Sequence, residues 1–260
     1  MINWIIYFLK WIAWKLRNRF YFDQWQILYN FSKSNFLSYD INKFQKIVPP
    51  KDRFWADPFI VKFDDMYYLF FEELIYKENK GTISCIKLLK DGSHSTPIEV
   101  LNKEFHLSYP FIFKFQNKLY MIPETLENKA IDLYECKKFP EKWNFKFTLL
   151  NNIQAVDSTI LFHDNLFWLF CNIKSNKTKT TWDELHLFYT NDFLNNEFQS
   201  HPMNPIVSSR KYSRPAGNIF MDNGRLIRPA QNCTKHYGYG IEFREIIKLS
   251  QTDYLEKKAK

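Results

Sequence analysis

A recurring phrase restricts the fold of this chain more than any other feature in it. It reads Asp57-Pro58-Phe59-Ile60-Val61-Lys62-Phe63, and again Tyr109-Pro110-Phe111-Ile112-Phe113-Lys114-Phe115. A looser copy begins Asp157-Ser158-Thr159-Ile160 and a fourth begins Arg214-Pro215-Ala216-Gly217. Each copy meets a polar turn: Asp64-Asp65, Gln116-Asn117, His163-Asp164-Asn165 or Asp222-Asn223-Gly224. A second apolar run follows each turn, starting near Tyr67, Leu119, Leu166 and Arg225. Strand–turn–strand units repeating at roughly fifty residues mark a β-propeller, whose blades are four-stranded sheets around an axis. The blade-opening residues Asp57, Tyr109, Asp157 and Arg214 should then converge on one axial opening.

The second strands align as well. Tyr68, Tyr120 and Trp168 share one position, and the pattern turns polar shortly afterwards at Glu72, Glu124 and Asn172. Allowing a two-residue insertion, the fourth match is Gln231. A polar residue at one place in every repeat fits a lined pocket better than a core. Asp57 and Asp157 are candidates for base, nucleophile or charge stabiliser, and Glu72 or Glu124 for general acid. Sugar-bond chemistry needs such a pair of carboxyl groups in different protonation states. Arg214 and Arg228 suit a carboxylate, a phosphate or sugar hydroxyls. Trp55, Tyr109 and Trp168 are candidate faces for sugar stacking, with His106 ranked behind the carboxylates. The competing reading is structural: Asp before Pro commonly closes a turn, and strand ends are generally polar. Glu73 and Glu135 are expected to face solvent.

Between these motifs, further strands are expected at Gln24–Tyr29, Thr82–Lys87, Ile131–Glu135, Trp143–Phe147, Glu184–Tyr189 and Tyr239–Ile246, with a polar loop over 32–53. Hydrophobic residues make up 45% of the 260 and aromatics 19%, with only 6 glycines, which is ample for a core. The expected fold is all-β, a five-bladed propeller of four clear repeats plus a composite blade from Trp25 and the region of Ile47, closed by strands from both chain ends. The expected organisation is an N-terminal amphipathic helix over 1–20, the propeller over 21–250 and a polar tail over 251–260.

The formal net charge is +8. It suits an anionic surface, yet no nucleic-acid motif or Arg-rich run accompanies it, so nucleic acid is not an expected partner. In residues 1–20, Trp4, Trp11 and Trp14 combine with Lys10, Lys15, Arg17 and Arg19. The uncharged stretch is too short to span a bilayer, and the charges fall on the wrong side for a signal peptide. Two readings stay open: a helix lying on the anionic inner membrane face, or one packed on the protein's own body or a partner. Cys85, Cys136, Cys171 and Cys233 are dispersed without a C-x-x-C pair, which suits reduced thiols in the cytoplasm. No ligand spacing demands a metal, although carboxylates would accept a divalent ion, and no cofactor motif is present. Phosphate loops, H-E-x-x-H and G-x-S-x-G are missing, which argues against the enzyme classes built on them.

Several motifs in order carry a family resemblance. They are Phe54-Trp55-Ala56-Asp57-Pro58-Phe59, Leu69-Phe70-Phe71-Glu72, His106-Leu107-Ser108-Tyr109-Pro110-Phe111, Met121-Ile122-Pro123-Glu124, Ala155-Val156-Asp157-Ser158, Ser213-Arg214-Pro215-Ala216-Gly217 and Arg228-Pro229-Ala230-Gln231. Over about residues 24–250 the chain resembles the propeller domain in the N-terminal region of plant glucosamine inositolphosphorylceramide transferases and its bacterial surface-polysaccharide counterparts. More distantly, Ala56-Asp57-Pro58 and Val156-Asp157-Ser158 are similar to motifs of five-bladed arabinanase- and xylosidase-type glycosidases. That likeness implies a base role for Asp57 and an acid-tuning role for Asp157, with Glu124 nearest to the acid. The resemblance implies a sugar or glycan substrate and a part in assembling a surface polysaccharide or glycolipid, by sugar transfer. Glycoside hydrolysis and a non-catalytic glycan-binding module are the alternatives. In the plant proteins a separate C-terminal domain resembles the transferase, and this chain has no counterpart of it.

Overall fold

A computed structural model describes residues 24–31, 40–174, 179–195 and 197–260. The expected helix over 1–20 lies outside the described residues. Among those described, no helix is long and apolar enough to cross a membrane.

The period of the phrase becomes four antiparallel blades. Blade 1 follows a short pair, β1 (Ile27–Tyr29) and β2 (Gln45–Ile47), and consists of β3 (Arg53–Phe63), β4 (Met66–Ile75), β5 (Lys80–Leu88) and β6 (Ile98–Leu101). Blade 2 consists of β7 (Ser108–Phe115), β8 (Lys118–Glu124), β9 (Ala130–Lys138) and β10 (Lys142–Asn151). Blade 3 runs through β11 (Ala155–His163), β12 (Leu166–Ile173) and β13 (Glu184–Thr190), whose outer edge takes β14 (Gln199–Ser200) and β15 (Val207–Ser208). Blade 4 consists of β16 (Phe220–Asp222), β17 (Arg225–Asn232), β18 (Gly240–Leu249) and β19 (Tyr254–Lys258). The polar turns sit where the sequence puts them. Asp64-Asp65, Gln116-Asn117 and Asp164-Asn165 all take positive φ, which Asn and Asp tolerate in tight hairpins.

Blades pack face to face, and apolar clusters fill the gaps between them. Phe70, Ile83, Cys85, Met121, Tyr134 and Trp143 join blades 1 and 2. Tyr120, Ile122, Leu133, Phe167, Leu169 and Phe193 join blades 2 and 3. Trp168, Phe170, Leu187, Leu226, Ile246 and Tyr254 join blades 3 and 4. Ile27, Tyr29 and Ile47 of the short pair cover blade 1 against Trp55, Leu69 and Phe71. Each such large side chain, once buried, contributes about 1.5–3 kcal/mol.

Two expectations about the chain ends are corrected. Among the described residues the fifth, composite unit does not join strands from both ends: β1 pairs with β2 alone, and Ile27 faces Ile47. The segment 251–260 is not a polar tail. Its residues Tyr254–Lys258 pair with β18, with Tyr254 opposite Leu249 and Glu256 opposite Ile246. Inside the segment 32–53, expected as loop, Gln45–Ile47 forms β2. The short pair reaches blade 4 through Trp25, whose ring meets Tyr237 edge-on at 6.5 Å between centroids.

Candidate active site

The phrase that opens each blade does something specific to the backbone. In β3 the pairing with β4 shifts between Ala56 and Phe59, leaving Asp57-Pro58 as a bulge. The same shift isolates Tyr109-Pro110 between Ser108 and Phe111, and Asp157-Ser158 between Val156 and Thr159. At each bulge the first residue is left-handed: Asp57 at φ 49°, Tyr109 at 43° and Asp157 at 53°. A residue with a Cβ adopts this region at a cost, and such strain collects where a side chain must be re-aimed. Here three side chains from three blades are turned toward one another. Blade 4 departs from the pattern, because Pro215 makes only an isolated bridge to Ala230 before β16.

The polar positions on the second strands sit beside the bulges in register. Glu72 pairs with Ala56, Glu124 with Ser108 and Asn172 with Val156, each opposite the residue before the bulge. Gln231 donates its backbone N–H to the carbonyl of Arg214 at 2.8 Å. The structure therefore brings Asp57, Glu72, Tyr109, Glu124, Asp157, Asn172, Arg214 and Gln231 to one end of the propeller.

Asp157 is fully buried and fully engaged. Arg214 grips it bidentately, with Nε donating to Oδ2 and Nη2 donating to Oδ1 at 3.1 Å. The Gln231 amide also donates to Oδ2, at 3.1 Å. Arg214 reaches on to the Thr181 hydroxyl at 3.3 Å and to Glu124 Oε2 at 3.7 Å. Burial lowers the Arg214 pKa, but Asp157, Tyr237 and Glu124 outweigh it, so the guanidinium stays charged. Glu124 goes the opposite way from an ordinary carboxylate. Burial and then the Asp157 charge push it well above its usual range, and a hydrogen bond to Asp157 helps keep its proton. Asp57 is pushed up to about 8, by burial first and then by Glu72 and Asp157, against the pull of Arg214. The Tyr109 backbone N–H holds its carboxyl from the next blade.

Tyr109 is a strut, not a free face. Its hydroxyl accepts the Gly217 N–H of blade 4 at 2.8 Å and bonds the Thr159 hydroxyl of blade 3 at 2.8 Å. Thr159 passes its own hydrogen to the Asp157 carbonyl at 3.4 Å. Burial pushes the Tyr109 hydroxyl pKa up, so it remains a phenol.

His106 stands at the edge of the cluster. Its Nδ1 accepts the Gly81 N–H at 3.0 Å, and its Nε2 lies 3.1 Å from Glu72 Oε1. Burial lowers the His106 pKa, but Glu72 and then Glu127 overcome it, and the net shift is upward. Only glycine fits at position 81, because a Cβ there would lie 2.5 Å from the Leu107 carbonyl and 2.8 Å from the His106 ring. Asn172 Nδ2 donates to the Thr181 carbonyl at 3.2 Å, and its buried Oδ1 finds no partner among the described residues.

Three expected sugar-binding residues lie elsewhere. Trp55 is buried against Phe71 and donates its indole N–H to Glu73 at 2.9 Å. It lies two residues before the bulge, on the face that packs the short pair. Trp168 fills the gap between blades 3 and 4 and donates to the His163 carbonyl. Arg228 is buried within blade 4, where it grips Glu256. Two residues expected to face solvent do not. Glu73 is buried, accepting from Trp55, Arg53 and the Ser84 hydroxyl. Glu135 lies under Lys118, Lys137 and Lys146, whose hydrogen bonds and charge hold its pKa down to about 2. Among the described residues no three His, Cys, Asp or Glu side chains form a group suited to a metal ion.

The family model described as "Glucosamine inositolphosphorylceramide transferase 1, N-terminal" matches residues 44–260. The chain belongs to this family. The curated glucosamine inositolphosphorylceramide transferase 1 of Oryza sativa subsp. japonica is 34% identical over 206 residues, covering 78% of this chain and 27% of that protein. The chain thus spans about a quarter of the length of the curated relatives it matches. Among solved structures, the catalytic domain of a GH62 α-L-arabinofuranosidase from Coprinopsis cinerea superposes with a TM-score of 0.58. It is 15% identical, covering 77% of this chain and 67% of that one. An α-L-arabinanase of Cellvibrio cellulosa, complexed with arabinohexaose, gives 0.54 at 12% identity, covering 78% and 77%. These neighbours show the fold, that of five-bladed propellers.

Proposed function

We propose that this chain acts on carbohydrate in the assembly of a surface polysaccharide or glycolipid, and that it transfers a sugar at the axial acid cluster. The observation that carries this reading is the gathering of buried acids from three blades around one guanidinium, which is held by only one of them. Burial and its neighbours push Glu124 well above its usual range and Asp57 up to about 8, beside Asp157 in the grip of Arg214. Sugar transfer needs a group that protonates the departing oxygen and another that takes a proton from the acceptor hydroxyl. Glu124 fills the first role and Asp57 the second, and a base is most effective when its pKa lies near the working pH. Asp157, with both oxygens engaged, is a charge holder that keeps Arg214 in place. The family's name, that of a glucosamine inositolphosphorylceramide transferase, supports a glycolipid acceptor. Hydrolysis would use the same two groups with water as the acceptor, and the glycosidase folds favour it as a variant.

One observation favours a second reading, a glycan-binding module without chemistry. The chain matches only 27% of the Oryza relative, so the transfer step has room to reside elsewhere in such proteins. Residues 1–20, with their tryptophans and late cationic charges, support a peripheral position on the cytoplasmic face of an anionic membrane in either case.

The deciding experiment replaces Asp57 by Asn and Glu124 by Gln and follows incorporation of labelled sugar into membrane glycolipid and surface glycan. Each replacement should lower incorporation by about 10²–10⁴-fold. Unchanged incorporation with correctly folded variants overturns the transfer reading. Saturable glycan binding without product, unaffected by both changes, leaves the binding module. For the membrane arm, removal of residues 1–20 should abolish sedimentation with vesicles of phosphatidylglycerol and phosphatidylcholine, and undiminished sedimentation contradicts it.

A further inference from the structure

An aromatic group that belongs to no blade core stands over the axial cluster. Tyr237 lies on the loop between β17 and β18, Trp182 on the segment entering β13, and Trp25 ahead of β1. The Tyr237 and Trp182 ring centroids are 6.1 Å apart with their planes tilted by 42°, and Trp25 meets Tyr237 edge-on. The guanidinium carbon of Arg214 sits 5.0 Å from the centre of the Tyr237 ring. That is the same guanidinium that grips Asp157, so Tyr237 is layered directly on the site. Arg210 lies 5.1 Å from the Trp182 ring in the same way. Cation–π contacts of this kind fix rings in place.

The arrangement is built into the backbone. Gly238 takes φ +68°, and a Cβ there would lie 2.6 Å from the outer edge of the Trp25 indole. Only a residue without a side chain lets Trp25 lie against the loop and brace Tyr237. Yet the rings are not buried: Tyr237 is 38% exposed and Trp25 42%. Burial raises the Tyr237 hydroxyl pKa, Arg214 opposes it, and Asp157, Asp57 and Glu124 raise it again. One side of the ring is thus held against Arg214 while part of it looks outward. Large, fixed, half-exposed aromatics above convergent polar groups are the usual composition of a site for a small amphipathic ligand.

We infer that Tyr237 and Trp182 form a stacking platform for a pyranose ring at the mouth of the axial cluster, with Trp25 bracing the platform from the side. The C–H face of the sugar rests on the outward side of the two rings. This inference rests on the reading that the cluster handles carbohydrate. It adds the residues that hold the sugar and set its orientation, none of which lies in the repeated phrase.

The test uses the full chain. An array of immobilised pyranose mono- and oligosaccharides identifies the saccharide bound best, which is then titrated by calorimetry. Trp182→Ala and Tyr237→Ala should each weaken binding by roughly tenfold or more, the size of an interface hot spot. Tyr237→Phe keeps the ring and should stay within about twofold, as should Phe63→Ala, an exposed aromatic at the far end of β3. Melting curves check folding. Should an alanine variant not fold, Trp182→Leu and Tyr237→Leu, which cover Arg210 and Arg214 respectively without presenting a ring, carry the same expectation. Wild-type affinity in folded variants overturns the platform and leaves the proposed function standing. Failure of the wild-type chain to bind any saccharide overturns both.

Discussion

Two buried charge networks in this molecule resolve the same electrostatic problem in opposite ways. In blade 4, Glu256 lies between Arg228 and Arg244. Its Oε2 accepts from Arg228 Nε and the Tyr254 hydroxyl, and its Oε1 from Arg228 Nη2 and Arg244 Nε, all within 3.0 Å. Burial works to raise the Glu256 pKa, but Arg228, Tyr254 and Arg244 overcome it and hold the group below its usual range. Every hydrogen-bonding site is filled, and the acid is outnumbered by cations. At the axis the proportions are reversed: Asp57, Glu124 and Asp157 share Arg214, while Glu72 lies against His106. One acid takes the guanidinium, and burial together with its neighbours forces two of the others toward their neutral forms. A network that only holds blades together has no need to keep protons on carboxylates near neutral pH. Groups held in that state, and turned inward by three strained bulges, are what acid–base chemistry uses.

The contrast breaks most directly under one chemical change made in both places. Glu256→Gln leaves two guanidinium groups buried without their counter-ion. It should destabilise the fold by about 3–5 kcal/mol in urea unfolding at pH 7. Asp57→Asn should do the reverse at alkaline pH, because it removes a charge the folded site disfavours. The sign follows from linkage. Asp57 moves from 3.8 to about 8 on folding, so between those values the folded chain holds a proton that the unfolded chain has released. Wild-type stability should then fall as pH rises from about 4 to about 8, with a slope of up to about 1.4 kcal/mol per pH unit from this group. The Asp57→Asn slope should be flatter in urea titrations across that range. Equal slopes would mean that the axial acids are as well compensated as Glu256. Glu256 itself contributes stability above its ordinary range, lost as pH falls through its lowered value.

Smaller effects sharpen the comparison. Tyr109→Phe removes the hydroxyl that links blades 2, 3 and 4 and should cost about 1–2 kcal/mol, read from the midpoint of chemical unfolding. A change below experimental error would mean that the strut is not holding the bulges. Lys62→Ala removes an exposed partner of Asp65 and should lie within about 0.5 kcal/mol of wild type. A larger loss there would show that this exposed pair does more than surface ion pairs ordinarily do.

What could be read in the sequence, and what could not, follows from periodicity. Asp57, Tyr109, Asp157 and Arg214, with Glu72, Glu124, Asn172 and Gln231, were legible because a repeat places equivalent residues at equivalent points of a closed ring. Trp55 and Trp168 belong to the same strands but to faces that pack against neighbouring sheets. Alternation cannot tell which neighbour a face will meet, and the bulge after Trp55 shifts the register locally. Glu73 and Glu135 read as solvated because charged residues are rarely buried, yet each is covered by specific partners. Tyr254–Lys258 read as a tail because Glu256-Lys257-Lys258 looks like a solvated charge run. In the fold Tyr254 and Glu256 complete the blade 4 network. Tyr237 and Trp182 carried no signal at all, since they lie on loops outside the repeat and reach the axis only through the fold.

The most direct measurement is a carboxyl carbon-13 NMR titration of the full chain labelled at aspartate and glutamate, with Asp57→Asn supplying the assignment. A midpoint near 8 for Asp57, together with a Glu124 midpoint well above that of an ordinary glutamate, is the expected result. An Asp57 midpoint near 4, that of an ordinary surface aspartate, would contradict the claim that the bulges gather these acids into one desolvated, proton-holding site.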